Sequence, residues 1–226
     1  MSGTAEKKKK DLYRWQKDCL GAWRENRFRG IVQAVTGSGK TKLALEAMDR
    51  LIDRFPDVYV RVVVPTLPLA DQWKTAMLHH VSSDEYRPGF YGDGVRNDPD
   101  RKAMIYIINS ARDSLAGHIR RDLALGRHVL LICDECHHYQ SPQNRKIFSF
   151  LTEEVLEGDQ YHCLGLSATP LGTADDKELT HALGRIIFSY DFSSAAREGV
   201  VAPFFIGEVS VSFLPDELGS YRDISD

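Results

Sequence analysis

The sequence predicts an α/β fold, in which a doubly wound and mostly parallel sheet is covered by helices on both faces. Apolar, β-branched runs recur at residues 30–35, 58–64, 104–108, 129–133 and 163–167. Such near-continuous runs are typical of strands that are buried on both faces. Segments with helical spacing lie between the runs, and strands that alternate with helices are joined by crossovers in a parallel sheet.

The composition is that of a globular chain with a substantial core. The 226 residues are 42% hydrophobic and 27% charged, which excludes disorder, collagen and coiled coil as the main structure. Lysine and arginine number 29 against 32 acidic residues, a net charge of −3. No global basic field therefore attracts a polyanion, and any contact with nucleic acid must be local.

Membrane and export signals are absent from the sequence pattern. No stretch approaches the roughly 20 apolar residues of a spanning helix, and residues 1–10 are polar and lysine-rich with no apolar segment directly behind them. We expect no membrane partner and an intracellular protein, cytoplasmic or, if eukaryotic, nuclear. The four cysteines are then expected to be reduced thiols.

The remaining elements follow from spacing and turn residues. Gly, Pro, Asp and Asn are frequent in residues 82–102, which predicts a long surface loop. Residues 186–188 predict a short strand, and the alternation in 204–213 suggests a further extension of the sheet. Apolar residues with helical spacing predict helices over residues 43–52, 73–81, 115–123 and 174–185.

The clearest motif is the Gly-rich turn of residues 34–41, between a predicted strand and a predicted helix. This order directs backbone N–H groups and the positive end of the helix dipole at one point, where a phosphate binds. The lysine would reach the β- and γ-phosphates and the threonine would ligate Mg²⁺. Ala34 replaces the usual first glycine, and a chance turn is the alternative. The predicted nucleotide-binding residues are Thr36, Gly37, Ser38, Gly39, Lys40 and Thr41.

Asp134 and Glu135 follow the predicted strand 129–133 directly. Phosphoryl transfer needs a carboxylate for Mg²⁺ and a group that orients the attacking water, and both belong at the end of a strand adjacent to the strand of the Gly-rich turn. We predict that Asp134 is the metal ligand and that Glu135 polarises the water. An acidic turn without function is the alternative.

The same segment also fits a different chemistry. Cys133, Cys136 and His137 have the spacing of covalent haem attachment, and the cysteine pair alone has that of a redox or zinc site. Such haem requires export, and zinc requires a second ligand pair in a Cys/His knuckle, which the pattern does not offer. We expect neither haem nor zinc, and interpret Cys133 as a small buried apolar residue.

An ordered set of blocks resembles the first RecA-like lobe of superfamily 2 DExH-box helicases. The blocks are Gln16 and residues 34–41, 65–73, 134–137 and 167–170. The resemblance covers about residues 12–205 and is nearest to the branch with the transcription-repair helicases and the motors of type I and type III restriction enzymes. It implies ATP and Mg²⁺ as cofactors, DNA or RNA as partner, and a second RecA-like lobe, missing from this chain, that supplies arginine fingers.

The resemblance also assigns roles to single residues. Gln16 would hydrogen-bond adenine, and Ser167 and Thr169 would couple the γ-phosphate region to the nucleic acid, with His137 in the same relay. An ordinary surface glutamine and a Ser/Thr-rich turn are the structural alternatives. The catalytic set is then Lys40, Asp134, Glu135 and His137. Weaker resemblances put three residues beside the nucleic-acid backbone: Thr66, Gln72 and Ser110.

The expected organisation is a disordered lysine-rich tail over residues 1–10, an ATP-binding lobe over 11–213 and the start of an interlobe connection over 214–226. The expected function is that of the ATP-binding and hydrolysing N-terminal lobe of an ATP-dependent DNA or RNA helicase or translocase, with little hydrolysis by this chain alone. Two alternatives stay open: the motor lobe of a restriction or phage-defence nuclease, and a non-translocating ATP-binding switch module.

Overall fold

A computed structural model describes residues 11–55, 57–169 and 177–202. The predicted tail, the interlobe connection, Pro170 and the alternating segment 204–213 lie outside these ranges. The strands are β1 (Arg29–Ala34), β2 (Val58–Val64), β3 (Gly89–Gly92), β4 (Val95–Arg96), β5 (Ala103–Ile107), β6 (His128–Cys133), β7 (Tyr161–Ser167) and β8 (Ile186–Tyr190).

Helices separate most of the strands. Short 3₁₀ turns at Asp84–Tyr86, Cys136–Gln140 and Lys146–Phe148 complete the described elements. The α-helices are α1 (Arg14–Glu25), α2 (Lys40–Arg54), α3 (Leu67–His80), α4 (Ile108–Ala124), α5 (Pro142–Arg145), α6 (Glu153–Glu157), α7 (Lys177–Leu183) and α8 (Phe192–Arg197).

The strands form one sheet in the order β4-β3-β5-β2-β6-β7-β1-β8. Every neighbouring pair is parallel except the β3–β4 hairpin. All seven residues of β2 are buried, as expected for a central strand with apolar layers on both sides. The predicted α/β fold with a mostly parallel sheet is therefore confirmed.

Two hydrophobic clusters cover the two faces of the sheet. Alternate residues of β2, such as Val60 and Val62, belong to one cluster together with side chains of α1, α2 and α3. Val63 of the same strand belongs to the other cluster, with side chains of α4 and α7. The alternation follows from the period of two along a strand. Among the described residues, no helix is both long and apolar enough to span a membrane.

The prediction of a long loop over residues 82–102 is wrong in its middle. This stretch contains a 3₁₀ turn and the β3–β4 hairpin, and β3 joins the sheet beside β5. A Cβ atom on Gly89 would collide with the sulfur of Met104, so this glycine allows a close approach between strands rather than a loop. Glycine content is typical of a loop, but a glycine within a strand can instead indicate a close approach to the neighbouring strand.

The other predicted elements are present with shifted ends. The helix predicted over 73–81 begins earlier, at Leu67, because Pro68 in its first turn is preorganised for helix and Thr66 precedes it in extended conformation. The helix predicted over 115–123 begins at Ile108, directly after β5. A helix is predicted over 174–185, and the structure describes α7 there. The short strand predicted over 186–188 is observed as β8.

A buried ion pair fixes the sheet to α4. Arg61 lies in the middle of β2 and is fully buried, and its guanidinium donates to Asp122 Oδ2 at 2.6 and 3.1 Å. The carbonyls of Pro99 and Arg101 accept two further N–H groups, and Arg127 donates to the other Asp122 oxygen. The charges are thereby satisfied, which a buried arginine requires.

Candidate nucleotide-binding site

The Gly-rich turn lies at the carboxyl end of β1 and leads into α2. Gly37 and Gly39 have φ angles of +80° and +95°, in the left-handed region that glycine adopts without steric cost. Helix α2 begins at Lys40, and Gly39 caps it without a side chain. The free N–H groups of the first helical turn therefore open toward the turn, as a phosphate site requires.

Side chains of the turn close it on itself. The Ser38 hydroxyl donates to Val35 O at 2.6 Å, and the Lys40 ammonium donates to Ala34 O at 2.9 Å. Thr36 is exposed, and Thr41 is half-buried in the first turn of α2. Lys40 thus lies across the mouth of the turn, with backbone carbonyls as its hydrogen-bond acceptors.

The electrostatic surroundings of Lys40 include both predicted carboxylates. Burial lowers the pKa of Lys40, whereas the charges of Glu135 and Asp134 raise it. In turn, burial raises the pKa of Asp134, and the Lys40 charge lowers it. The lysine of the turn and the acidic pair therefore lie within range of one another's charge.

Asp134 is held rigidly at the end of β6. Its backbone N–H donates to Val63 O, its Oδ1 accepts the N–H of Glu135 at 3.0 Å, and its Oδ2 accepts the indole N–H of Trp73 at 2.7 Å. Sequence reasoning missed Trp73, which is buried and lies 61 residues away in the chain. In the sequence, Trp73 is only a tryptophan beside Gln72 on the core-facing stripe of α3, and nothing in that pattern indicates a site residue.

The expected strand adjacency is wrong. The strand that leads to Asp134 is β6, and β7 lies between it and β1. The two motifs still meet, because the carboxyl ends of parallel strands share one edge of the sheet. Ser167 ends the intervening strand and therefore lies between them. Strand order depends on contacts distant in sequence, so the local pattern did not determine it.

Glu135 adopts a strained conformation and is oriented by the end of β7. Its φ angle is +47°, which is uncommon for a residue with a side chain and is typical of functional positions. Its Oε2 lies 3.4 Å from the N–H of Ala168 and 3.5 Å from His137 Nδ1. The carboxylate is thereby turned toward the Ser167–Thr169 segment.

His137, Ser167 and Thr169 form a short polar chain. The Ser167 hydroxyl donates to Thr169 O at 2.9 Å and lies 3.2 Å from His137 Nδ1. Because the hydroxyl uses its single hydrogen on Thr169, it accepts the hydrogen of Nδ1, which assigns the tautomer. Burial lowers the pKa of His137, so the ring is neutral at pH 7.

Gln16 links the first helix to the turn. Its side chain is buried, its Oε1 accepts the backbone N–H of Tyr13 at 2.9 Å, and its Nε2 donates to Gly39 O at 3.0 Å. A Cβ atom on Gly39 would lie 2.8 Å from that Nε2. The glycine therefore provides space for the amide, and the surface-glutamine alternative does not apply.

The positions predicted beside nucleic acid lie near the carboxyl edge of the sheet, and fewer hydrogen bonds fix their side chains than fix those around Asp134. Thr66 is exposed and follows β2, whereas Ser110 is half-buried in the first turn of α4 and follows β5. Gln72 is exposed on α3. Thr66 and Ser110 thus follow adjacent strands, and no side-chain hydrogen bond joins either residue to Gln72 among the described residues.

The cysteines beside the acidic pair are interior residues. Burial raises the pKa of both Cys133 and Cys136, and all four cysteines are buried thiols. Within residues 11–55, 57–169 and 177–202, no three histidine, cysteine or acidic side chains form a cluster suited to a metal ion.

Comparison with known families agrees with this geometry. Residues 9–172 match the family model of the type III restriction enzyme, res subunit. The chain belongs to this family. The resemblance to the first RecA-like lobe of superfamily 2 helicases is thereby confirmed.

The chain is shorter than the curated relatives that it matches. It is 29% identical over 216 residues to "DNA 3'-5' translocase XPB2" of Sulfurisphaera tokodaii, with 95% of this chain and 44% of the relative covered. It is 30% identical over 155 residues to "Putative ATP-dependent RNA helicase QP509L" of African swine fever virus, with 66% and 27% covered. The chain therefore spans less than half the length of each of these relatives.

Solved structures share the fold at low identity. The crystal structure of T4 UvsW matches with a TM-score of 0.63 at 18% identity, over 80% of this chain and 35% of that one. The Hef helicase domain of Pyrococcus furiosus matches with a TM-score of 0.55 at 18% identity, over 80% and 38%. These likenesses confirm the RecA-like architecture of the lobe.

Proposed function

We propose that the chain binds and hydrolyses Mg²⁺-ATP as one lobe of a helicase or translocase that acts on DNA or RNA. A single observation carries the proposal: the Gly-rich turn after β1 and the Asp134–Glu135 pair after β6 lie at the same carboxyl edge of the sheet, one strand apart, where both carboxylate charges act on Lys40. A lysine, a helix N-terminus and two carboxylates around one volume are the parts that phosphoryl transfer requires.

The donor set at the turn fits Mg²⁺ and a triphosphate. Carboxylate and hydroxyl oxygens are the ligands that Mg²⁺ prefers, and Asp134 and Thr41 supply them. Each hydrogen-bonded oxygen of Asp134 retains a lone pair, since a carboxylate has about four acceptor sites. When bound, Mg²⁺ would neutralise charge that develops on the β- and γ-phosphates.

The phosphates would be held by the turn and by Lys40. Backbone N–H groups at the start of α2 are directed at the anion, and the ammonium would exchange its carbonyl partner, Ala34 O, for phosphate oxygens. An ammonium bonds more strongly to an anionic oxygen than to a neutral carbonyl. Ser38, which is bonded to Val35 O, would keep the turn in its shape.

Glu135 would act on the attacking water. Its carboxylate would accept a proton as the water oxygen forms a bond to the γ-phosphorus and the bond from that phosphorus to the β–γ bridging oxygen breaks. The backbone N–H of Ala168 orients one carboxylate oxygen, Oε2. The second oxygen is left for the water.

The polar chain of His137, Ser167 and Thr169 would report the state of this site to the surface. It begins at Glu135 and ends at Thr169, which is exposed. A change of charge at the γ-phosphate would alter the hydrogen bonds of Glu135 and thereby those of the chain. Coupling to nucleic acid and to a second RecA-like lobe outside this chain would follow that route.

Gln16 would select the base. Its Oε1 and Nε2 each make one hydrogen bond to the protein, which leaves one lone pair and one N–H for the ligand. The edge of adenine offers a complementary donor and acceptor at N6 and N7. Guanine presents an acceptor where adenine presents its donor, so the amide would favour ATP over GTP.

Nucleic-acid-stimulated hydrolysis tests the proposed function. ATP turnover of a protein that carries this lobe together with a second RecA-like lobe is measured alone, with single-stranded DNA and with RNA. Stimulation by either nucleic acid is expected, and the stronger activator identifies the partner. Full turnover that neither nucleic acid changes contradicts the proposal and favours the non-translocating switch module. The chain alone is expected to turn over slowly, because an arginine finger contributes about 10³–10⁵ in rate.

A restriction or phage-defence motor is the second candidate. The observation that favours it is the matching family, type III restriction enzyme, res subunit. The chemistry of this lobe would be unchanged, and a nuclease would act elsewhere in the protein or its complex. ATP-dependent cleavage of duplex DNA by the whole assembly, lost with Lys40→Ala, supports this candidate. ATP-dependent strand separation without cleavage supports the helicase.

A further inference from the structure

A concavity lies at the amino ends of β1, β7 and β8, across the sheet from the Gly-rich turn. We call it the basal cavity; its volume is about 680 Å³, which lies within the usual range of ligand sites, about 300–1,000 Å³. Strand β1 runs from the cavity to the turn. Its six residues, at about 3.3 Å each, separate the two sites by roughly 20 Å.

Positive side chains converge on the basal cavity. Ion pairs among the described residues are made by other arginines, so no described carboxylate is in ion-pair contact with this group. The side chains of Glu157 and Asp159 also line the cavity, and the balance of five positive and two negative groups is +3 in a chain of net charge −3. The five arginines are Arg24, Arg27, Arg29, Arg54 and Arg185.

Neutral contacts hold two of these arginines in place. The guanidinium of Arg54 lies over the rings of Phe28 and Phe55, at 5.5 and 5.3 Å from their centroids. Arg29 lies 5.3 Å from the Tyr161 centroid and donates to two backbone carbonyls. These contacts orient the guanidinium groups and leave their charge uncompensated.

Helix dipoles explain only part of the group. Arg24 and Arg54 lie in the last turns of α1 and α2, where a positive side chain is favoured by the helix carbonyls. Arg27, Arg29 and Arg185 lie outside helices. Their approach to the same cavity therefore needs another reason.

A buried histidine in the cavity wall also has an unsatisfied nitrogen. His162 is only 3% exposed, and its Nε2 lies 3.2 Å from His128 Nδ1. Its Nδ1 has no hydrogen-bond partner among the described residues. Burial lowers the pKa of His162 to about 4, against the smaller opposing effect of the Arg27 carbonyl. The neutral ring carries its hydrogen on Nδ1 when Nε2 accepts that of His128 Nδ1. Buried polar groups are almost always paired in folded proteins. An acceptor oxygen in the cavity would satisfy this nitrogen.

We propose that the basal cavity binds a phosphate-bearing anion through its arginines and His162. The guanidinium fork matches two phosphate oxygens, and several forks around one concavity favour a group with more than one phosphate. The phosphate can belong to a nucleic-acid strand or to a free polyphosphate, since both present the same oxygens. The site would be separate from the proposed ATP site.

Charge-matched variants test the site. Three exposed arginines are replaced in Arg24→Gln/Arg27→Gln/Arg185→Gln, and the control Arg50→Gln/Arg87→Gln/Arg96→Gln removes the same charge elsewhere. Both sets are made with Lys40→Ala, so that the Gly-rich turn does not take up the phosphates. The probes are inorganic pyrophosphate, by calorimetry, and labelled dT12, by fluorescence anisotropy across a salt series.

The cavity variant is expected to bind at least one probe about tenfold or more weakly than the control. For dT12, the salt dependence should fall by about 0.7 for each lost phosphate contact. Weaker binding of dT12 alone assigns the site to a nucleic-acid strand, and weaker binding of pyrophosphate alone assigns it to a free anion. Weaker binding of both probes assigns it to phosphate groups in general.

The NMR resonances of His162 give a second test, which does not depend on the arginine variants. The His162 ring nitrogen resonances should shift when pyrophosphate or dT12 is added, and those of His79, outside the cavity, should not. Equal binding of both probes by the cavity and control variants overturns the proposal. Hexaglutamate that binds in an arginine-dependent manner, while neither phosphate probe does, also overturns it and assigns the cavity to an acidic protein segment.

Discussion

The two edges of the sheet present positive charge in different ways. At the carboxyl edge, the charge comes from backbone N–H groups of α2 and from Lys40, and two carboxylates face it. At the amino edge, it comes from five arginine side chains, none of which makes an ion pair with a described carboxylate. The first edge has two carboxylates, which we propose ligate a cation and accept a proton, whereas at the second edge the five arginines outnumber two carboxylates, Glu157 and Asp159.

Chain direction accounts for this difference. A strand of the sheet leaves its carboxyl end and enters a helix N-terminus, so free N–H groups accumulate there. The amino end receives helix C-termini, whose free carbonyls favour arginine and lysine. We therefore expect variants at the carboxyl edge to change ATP chemistry, and matched variants elsewhere to leave it unaltered.

Glu135→Gln should have the largest effect. Removing the proton acceptor for the attacking water should lower ATP turnover by about 10²–10⁴, with ATP affinity retained because the phosphates do not depend on this carboxylate. Turnover of the two-lobe protein and ATP binding by calorimetry measure the two quantities. Glu154→Gln, on the exposed surface of α6, is the control. Equal rates for the two variants exclude Glu135 from the reaction.

Lys40→Ala should come next. Losing a half-buried ammonium that bonds the β- and γ-phosphates should weaken ATP binding about 100-fold, since a hydrogen bond to a charged group contributes about 1.5–3 kcal/mol. Calorimetric titration of the chain with Mg²⁺-ATP measures this. Lys42→Ala, two residues further along α2, should bind ATP normally. Unchanged affinity in Lys40→Ala is incompatible with the proposed site.

Trp73→Phe should have a smaller and more selective effect. It removes the hydrogen bond that orients Asp134 and keeps most of the buried ring, so the Mg²⁺ concentration needed for half-maximal turnover should rise about fivefold to tenfold. Turnover at saturating Mg²⁺ should be nearly normal.

Trp23→Phe is the matched control for that variant. Trp23 is also buried and donates its indole N–H, at 2.9 Å, to the carbonyl of Cys163. Trp23→Phe should lose about as much stability in thermal unfolding as Trp73→Phe, without a change in the Mg²⁺ dependence of ATP turnover. A shift of Mg²⁺ dependence in both variants would indicate a general loss of packing and would remove the positioning role of Trp73.

Gln16→Ala should have the smallest effect. Loss of the base contact should reduce the ratio of ATP to GTP affinity about fivefold, because a neutral hydrogen bond contributes a net free energy of about 1 kcal/mol. Competition between the two nucleotides measures the ratio. Gln33→Ala, in β1, is the control. A ratio that does not change in Gln16→Ala assigns Gln16 to support of Gly39 alone.

Local motifs were predictable from the sequence, and contacts between distant segments were not. The Gly-rich turn is recognisable because its glycines, lysine and threonine act within eight consecutive residues, 34–41. The Asp134–Glu135 pair is recognisable for the same reason, whereas the strand that lies between it and β1 is not evident from the sequence. Strand order depends on which apolar faces pack together, and single runs do not encode that.

Two further features had no sequence signal of their own. The hydrogen bond from Trp73 to Asp134 joins residues from different blocks, and a tryptophan on a helical stripe is typical of any core. The basal arginines are spread from Arg24 to Arg185 and share no spacing. Only the fold brings them to one edge, so they become a site candidate in three dimensions.

The interior position of the cysteines has a practical consequence. Burial raises the pKa of Cys19 to about 12 and that of Cys163 above its usual range, so the native thiols react slowly with maleimides. A single cysteine introduced by Leu125→Cys, at a side chain that is 57% exposed, would be the preferred point of attachment. The chain can therefore carry one fluorophore with its natural cysteines in place.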